Sequence, residues 1–148
     1  NHEAQLRRYC DLKFNNFSMV NEYIHIDSKG NKFLCVHGDK YSEYSSGSWK
    51  QLLFNKGYEY VTPLSKILNF NLIHFLKSTK NARRYIENYE NDMMNYCRKF
   101  DVNGIIVGHI HHSNIKYYDD RIYMCSGDWC DECSVIVERN GIYCLEYF

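Results

Sequence analysis

The stretch from residue 82 to residue 111 most constrains this chain, because there a helical pattern runs directly into a short, wholly apolar strand. From Ala82 to Phe100 the apolar positions Ile86, Tyr89, Met93, Tyr96, Cys97 and Phe100 recur at three- and four-residue spacing. Arg83, Arg84, Glu87, Glu90 and Asp92 lie between them, which is the pattern of an amphipathic helix. Asp101-Val102-Asn103-Gly104 ends it, and Ile105-Ile106-Val107 then reads as a strand covered on both faces, since three consecutive apolar residues leave no solvent side. An α/β fold in which helices flank sheets is expected.

The flanking sequence adds strands on either side. Glu22 to Asp27 alternates as a half-buried strand, Ser28-Lys29-Gly30-Asn31 is a turn, and Lys32 to Val36 continues as the second arm of a hairpin that delivers His37-Gly38-Asp39 to a loop. Glu3 to Tyr9 reads as helical. Residues 41–100 read as an inserted, mostly helical and lid-like region, in which the aromatic and aliphatic cluster from Trp49 to Leu76 either covers an acyl chain or packs as core. Ile115 to Tyr118, Arg121 to Cys125, Ser134 to Val137 and Ile142 to Tyr147 are predicted as strands of a small antiparallel sheet, separated by Asp119-Asp120 and Asn140-Gly141 turns. The single proline, Pro63, marks no linker, so residues 1–148 are taken as part of one domain.

Composition narrows the partners. Eighteen basic residues balance 18 acidic ones, so bulk charge gives no footprint for nucleic acid. Seven cysteines, an odd number without framework spacing, fit a reducing, cytoplasmic setting. No apolar run approaches the roughly 18 to 20 residues that cross a bilayer, which leaves peripheral contact with an inner membrane as the expected limit of membrane association. The chain opens at Asn1 without a methionine, as an internal fragment or processed product does.

Three short polar groups carry the chemistry. Gly108-His109-Ile110-His111 follows the buried strand and places two imidazoles where they can reach one or two adjacent metal ions. His37-Gly38-Asp39 repeats the arrangement of strand, histidine and glycine. Asn1-His2-Glu3 adds an amide oxygen and another imidazole. A lone strand-end histidine is more often an ordinary hydrogen-bonded residue than a ligand, but three such groups at element boundaries favour metal. Cys130-Asp131-Glu132-Cys133 has metal-like spacing without a second pair and is read as structural.

Taken together, Asn1-His2-Glu3, His37-Gly38-Asp39 and Gly108-His109-Ile110-His111 resemble the later motifs of the calcineurin-like metallophosphoesterases. The His-Gly-Asp form of the middle motif, Tyr123-Met124-Cys125-Ser126-Gly127-Asp128-Trp129 and the Arg-rich helix further resemble the branch related to UDP-2,3-diacylglucosamine diphosphatase of lipid A synthesis. The resemblance implies a four-layer α/β/β/α sandwich, of which this chain is the C-terminal half. It implies two divalent ions, with Asn1, His37 and His109 on one and His111 on the other, and His2 beside the phosphate as the catalytic residue that assists the leaving group. Asp39, Arg83 and Arg84 would face substrate, although the two arginines read equally well as solvated surface. Histidine and amide donors suit manganese first, and iron or zinc also. The substrate implied is a phosphate ester or pyrophosphate, foremost a nucleotide-linked acylated sugar.

The family's upstream Asp-x-His and Gly-Asp-x-x-Asp motifs are absent, and with them the aspartate that bridges the two ions. The chain is therefore expected to need a missing N-terminal segment or a partner chain. It would otherwise be a non-catalytic remnant or a single-metal binding domain, prone to dimerise through unpaired strand edges.

Overall fold

The computed structural model describes residues 9–10, 12–41, 80–129 and 132–148. The expected helix at Glu3 to Tyr9 lies almost wholly outside these residues, as do Asn1, His2 and most of the region 41–80.

Two tiny strands, β1 (Lys13–Phe14) and β2 (Phe17–Ser18), pair antiparallel ahead of the main sheet. They are followed by β3 (Glu22–Ile26), β4 (Lys32–Val36), the helix α1 (Lys80–Cys97), β5 (Gly104–Val107), β6 (Asn114–Tyr117), β7 (Ile122–Cys125), β8 (Ser134–Arg139) and β9 (Ile142–Tyr147). A five-stranded mixed sheet in the order β3-β4-β5-β7-β6 forms the centre. Its three inner strands, β4, β5 and β7, run parallel, with antiparallel β3 and β6 at the two sides. This mixed α/β architecture, with one helix among the described residues, fits the metallophosphoesterase-type fold expected from sequence.

Alternation along the inner strands decides what covers each face. Leu34, Val36, Ile105, Val107, Tyr123 and Cys125 join Tyr89, Met93, Met94 and Cys97 of α1 in one buried cluster. Phe33 and Met124 are equally buried but point the other way, where the Phe33 ring meets Tyr143 of the β8–β9 hairpin edge-on at 5.2 Å. Each buried side chain of Leu or Met size carries about 2–5 kcal/mol, read as the cost of its truncation to Ala.

Polar ties fix the ends. The Arg121 guanidinium donates to the carbonyls of Cys97 (2.7 Å) and Phe100 (3.1 Å), so a cation sits at the α1 C-terminus, where the Cys97 carbonyl also accepts the Phe100 amide at 3.1 Å. The buried Glu90 carboxylate receives Asn114 Nδ2 at 2.8 Å and Lys116 Nζ at 3.0 Å, fastening α1 to β6. Asp27 receives the amides of Lys29 and Asn31, the Asn31 side chain and the Tyr143 hydroxyl, fastening the β3–β4 turn to β9.

Two expectations are corrected. The helix spans Lys80–Cys97, since residues 98–100 already turn toward the Arg121 cap. The tail is not one small antiparallel sheet: β7 enters the central sheet beside β5, and only β8 and β9 form a separate hairpin. Tyr123, Met124 and Cys125 are apolar on both faces, and such a strand is stable only where both faces are covered.

Candidate metal centre

Because β4, β5 and β7 are parallel and nearly level, with Cys35 beside Ile106 and Val107 beside Cys125, their C-terminal ends open onto one edge. There β4 leads into His37-Gly38-Asp39, β5 into Gly108-His109-Ile110-His111 and β7 into Ser126-Gly127-Asp128. Ligands of open α/β sheets gather at this carboxyl edge.

The loops are held in sparsely populated conformations. Gly38 has φ +102° and Gly127 φ +74°, while the non-glycine residues His109 and His111 have φ +67° and +49°. The Ile110 amide donates to the Gly108 carbonyl at 2.8 Å, closing a three-residue turn about His109. Left-handed backbone at a residue with a side chain costs about 1–3 kcal/mol and persists only where neighbours enforce it.

Tyr89 is the enforcing neighbour. It is completely buried, and its hydroxyl lies 3.3 Å from both the His37 and the Gly108 carbonyl oxygens, spanning the two histidine loops. The Gly108 amide also donates to the His37 carbonyl at 3.2 Å. A Cβ on Gly38 would fall 1.8 Å from the Tyr89 hydroxyl oxygen, so only glycine fits beneath it.

These restraints bring the His37 and His109 rings to a centroid distance of 5.2 Å, inclined at 70°. His37 Nδ1 is 3.0 Å from Asp39 Oδ1, so Asp39 sits against a candidate ligand. His109 Nδ1 is buried and has no hydrogen-bond partner among the described residues. Burial first, and then the neighbouring His37, hold the His109 pKa down to about 4, so its ring is neutral at pH 7 and able to act as a donor. His111 is half exposed, with Nδ1 3.7 Å from Asp128 Oδ2.

Of the residues singled out from sequence, the fold brings His37, Asp39, His109 and His111 to one edge. Arg83 and Arg84 lie exposed on α1 and do not join the histidine cluster among the described residues. Asn1 and His2 lie outside the described residues. Sequence reasoning assigned no role to Tyr89 or Asp128. The signal for Asp128 was the Gly-Asp pair after a strand, which repeats Gly38-Asp39.

A divalent ion suits this donor set on one side. Three imidazoles, one of them neutral and with a buried ring nitrogen unused, are the nitrogen donors that borderline transition metals take. No group of three or more His, Cys, Asp or Glu side chains is close enough to cage an ion among the described residues. No curated protein matches the chain. A family model described as calcineurin-like phosphoesterase matches residues 1–113, a span that includes both histidine loops, and the chain therefore belongs to the calcineurin-like phosphoesterases.

Proposed function

We propose that the chain is one side of the active centre of a metal-dependent hydrolase of phosphate esters or pyrophosphates, acting foremost on a UDP-2,3-diacylglucosamine-type substrate. The observation that carries the reading is the approach of His37 and His109 at the ends of adjacent parallel strands, with a buried nitrogen on the neutral His109 ring that no described residue engages. His37 and His109, with Asn1, would hold one ion, and His111 the other. Bound divalent ions, with manganese the first choice and iron or zinc next, lower the pKa of a water and neutralise phosphate charge.

The chain's own groups do the rest. Asp39 takes the Nδ1 side of His37, which supports a role in orienting that ring. Tyr89 keeps both histidine loops at fixed separation. His2 is assigned the proton to the leaving oxygen, and Arg83 and Arg84 contact with substrate phosphate.

The test is hydrolysis of a generic phosphodiester and of a UDP-sugar pyrophosphate with manganese, by the chain alone and joined to a segment carrying Asp-x-His and Gly-Asp-x-x-Asp. Activity in the joined form that disappears in His109→Ala and His111→Ala supports the proposal. Inactivity of both forms on both substrates, with no metal retained, overturns it. One observation favours a second reading, a non-catalytic unit that awaits a partner chain: among the described residues no three His, Cys, Asp or Glu side chains are grouped closely enough to hold an ion. Co-purification of an Asp-x-His-bearing chain would favour it.

A further inference from the structure

We infer that Asp128 is a positioning residue that fixes the tautomer and direction of His111, in a loop built for that purpose after the third parallel strand. The inference rests on the metal-centre reading above and extends it to residues beyond 113, where the family match ends.

Ser126 to Trp129 and Glu132 to Ser134 are tied together by bonds that do not involve His111. Ser134 Oγ donates to the Ser126 carbonyl at 2.7 Å, and the Ser134 amide to the Asp128 carbonyl at 3.2 Å. The Glu132 amide donates to Asp128 Oδ1 at 3.3 Å. Gly127 makes the close return possible, since a Cβ there would lie 2.3 Å from Ser134 Oγ. Glu132 reaches across to the histidine loop: its Oε2 accepts the Ser113 amide at 2.7 Å, and its Oε1 is 3.9 Å from His112 Nδ1. The two loops are thereby joined.

Within this frame the Asp128 side chain is only 6% exposed, whereas that of His111 is 50% exposed. Oδ2 is aimed at His111 Nδ1 at 3.7 Å, a small ring rotation short of a hydrogen bond. The carboxylate is held by its own loop and the imidazole is the more exposed partner, so Asp128 sets the ring and not the reverse. With the proton held on Nδ1, the Nε2 lone pair of His111 is left for a metal ion. Carboxylates behind ligand histidines have this effect generally, and Asp39 stands in the same relation to His37.

The test is nitrogen-15 imidazole NMR on the metal-free full chain near neutral pH, with His111 assigned from the spectrum of His111→Gln. His111 in the Nδ1–H form, reverting in Asp128→Asn to the Nε2–H form that free histidine prefers, supports the inference. His111 already in the Nε2–H form in the parent chain overturns it, and that spectrum decides the point even where Asp128→Asn does not fold. Cobalt(II) titration followed by visible absorption is the second readout. Asp128→Asn should weaken binding about 10- to 100-fold, Asp128→Glu should recover most of it, and the exposed Asp119→Asn should not change it. A merely structural Asp128 would lower the melting temperature in both Asp128 variants without moving the tautomer, which overturns the inference. A tautomer change in a chain that takes up no cobalt upholds the positioning and overturns the metal reading instead.

Discussion

At Gly38 the two histidine loops and the helix meet, and its backbone allows one residue type. A methyl group there would enter the Tyr89 hydroxyl, and φ +102° is strained for any side chain. Gly38→Ala should therefore cost about 2 kcal/mol or more, read as a lower urea midpoint at unchanged slope. Gly108→Ala is the contrast, since its Cβ would make an ordinary 3.5 Å contact with His37 and its φ is not in the left-handed region. That variant should change stability by less than about 1 kcal/mol. In a Tyr89→Phe background the penalty at Gly38 should shrink without vanishing, because removing the hydroxyl leaves the ring carbon 3.0 Å away and the backbone strain intact. An unchanged penalty would mean that the strain alone makes glycine necessary. The histidines were legible in sequence because each follows an apolar strand. Tyr89 was legible only as a core position, since periodicity shows which face a residue occupies but not what its hydroxyl reaches.

At the scale of elements, the helix leading into β5 and the β3–β4 hairpin were readable because one segment carries its own signal, a 3.6-residue period or an alternation about a turn. The assembly of the tail was not. Whether Ile122–Cys125 pairs with its sequence neighbours or crosses to β5 depends on which surface is free to be covered, and that is a tertiary question. Arg121 shows how far such a choice propagates. By entering the central sheet, β7 brings the residue before it under the end of α1, where its guanidinium meets the Cys97 and Phe100 carbonyls. Arg121→Met keeps the length and removes the donors, and should cost about 1–3 kcal/mol. Hydrogen exchange should speed up over residues 94–100 more than at the helix start, which locates the loss at the cap.

On the whole molecule, the edge strand β3 exposes Tyr23, Ile24 and Ile26 and, among the described residues, pairs on one side only. Ile26→Lys should therefore reduce self-association in sedimentation without altering the melting temperature. The β8–β9 hairpin is joined to the rest at its far side by Asp27. Burial alone would raise the Asp27 pKa, but the hydroxyl of Tyr143 and the donors of Asn31 and Lys29 outweigh it and hold it at about 2, against an ordinary 3.8. A carboxyl depressed in the folded state binds its proton more readily once unfolded. Its stabilising contribution is complete above about pH 4 and is lost as pH falls from there toward 2. Tyr143→Phe removes one donor, so it should lower the urea midpoint at pH 5, and the gap between variant and parent should narrow steadily between pH 4 and pH 2. The proton taken up by Asp27 and the hydroxyl removed at Tyr143 weaken the same tie, and acid should therefore erase the difference between the two proteins. A gap that stays constant across that range would mean that the hydroxyl's contribution does not depend on the ionised carboxylate, since phenylalanine keeps the ring contact with Phe33.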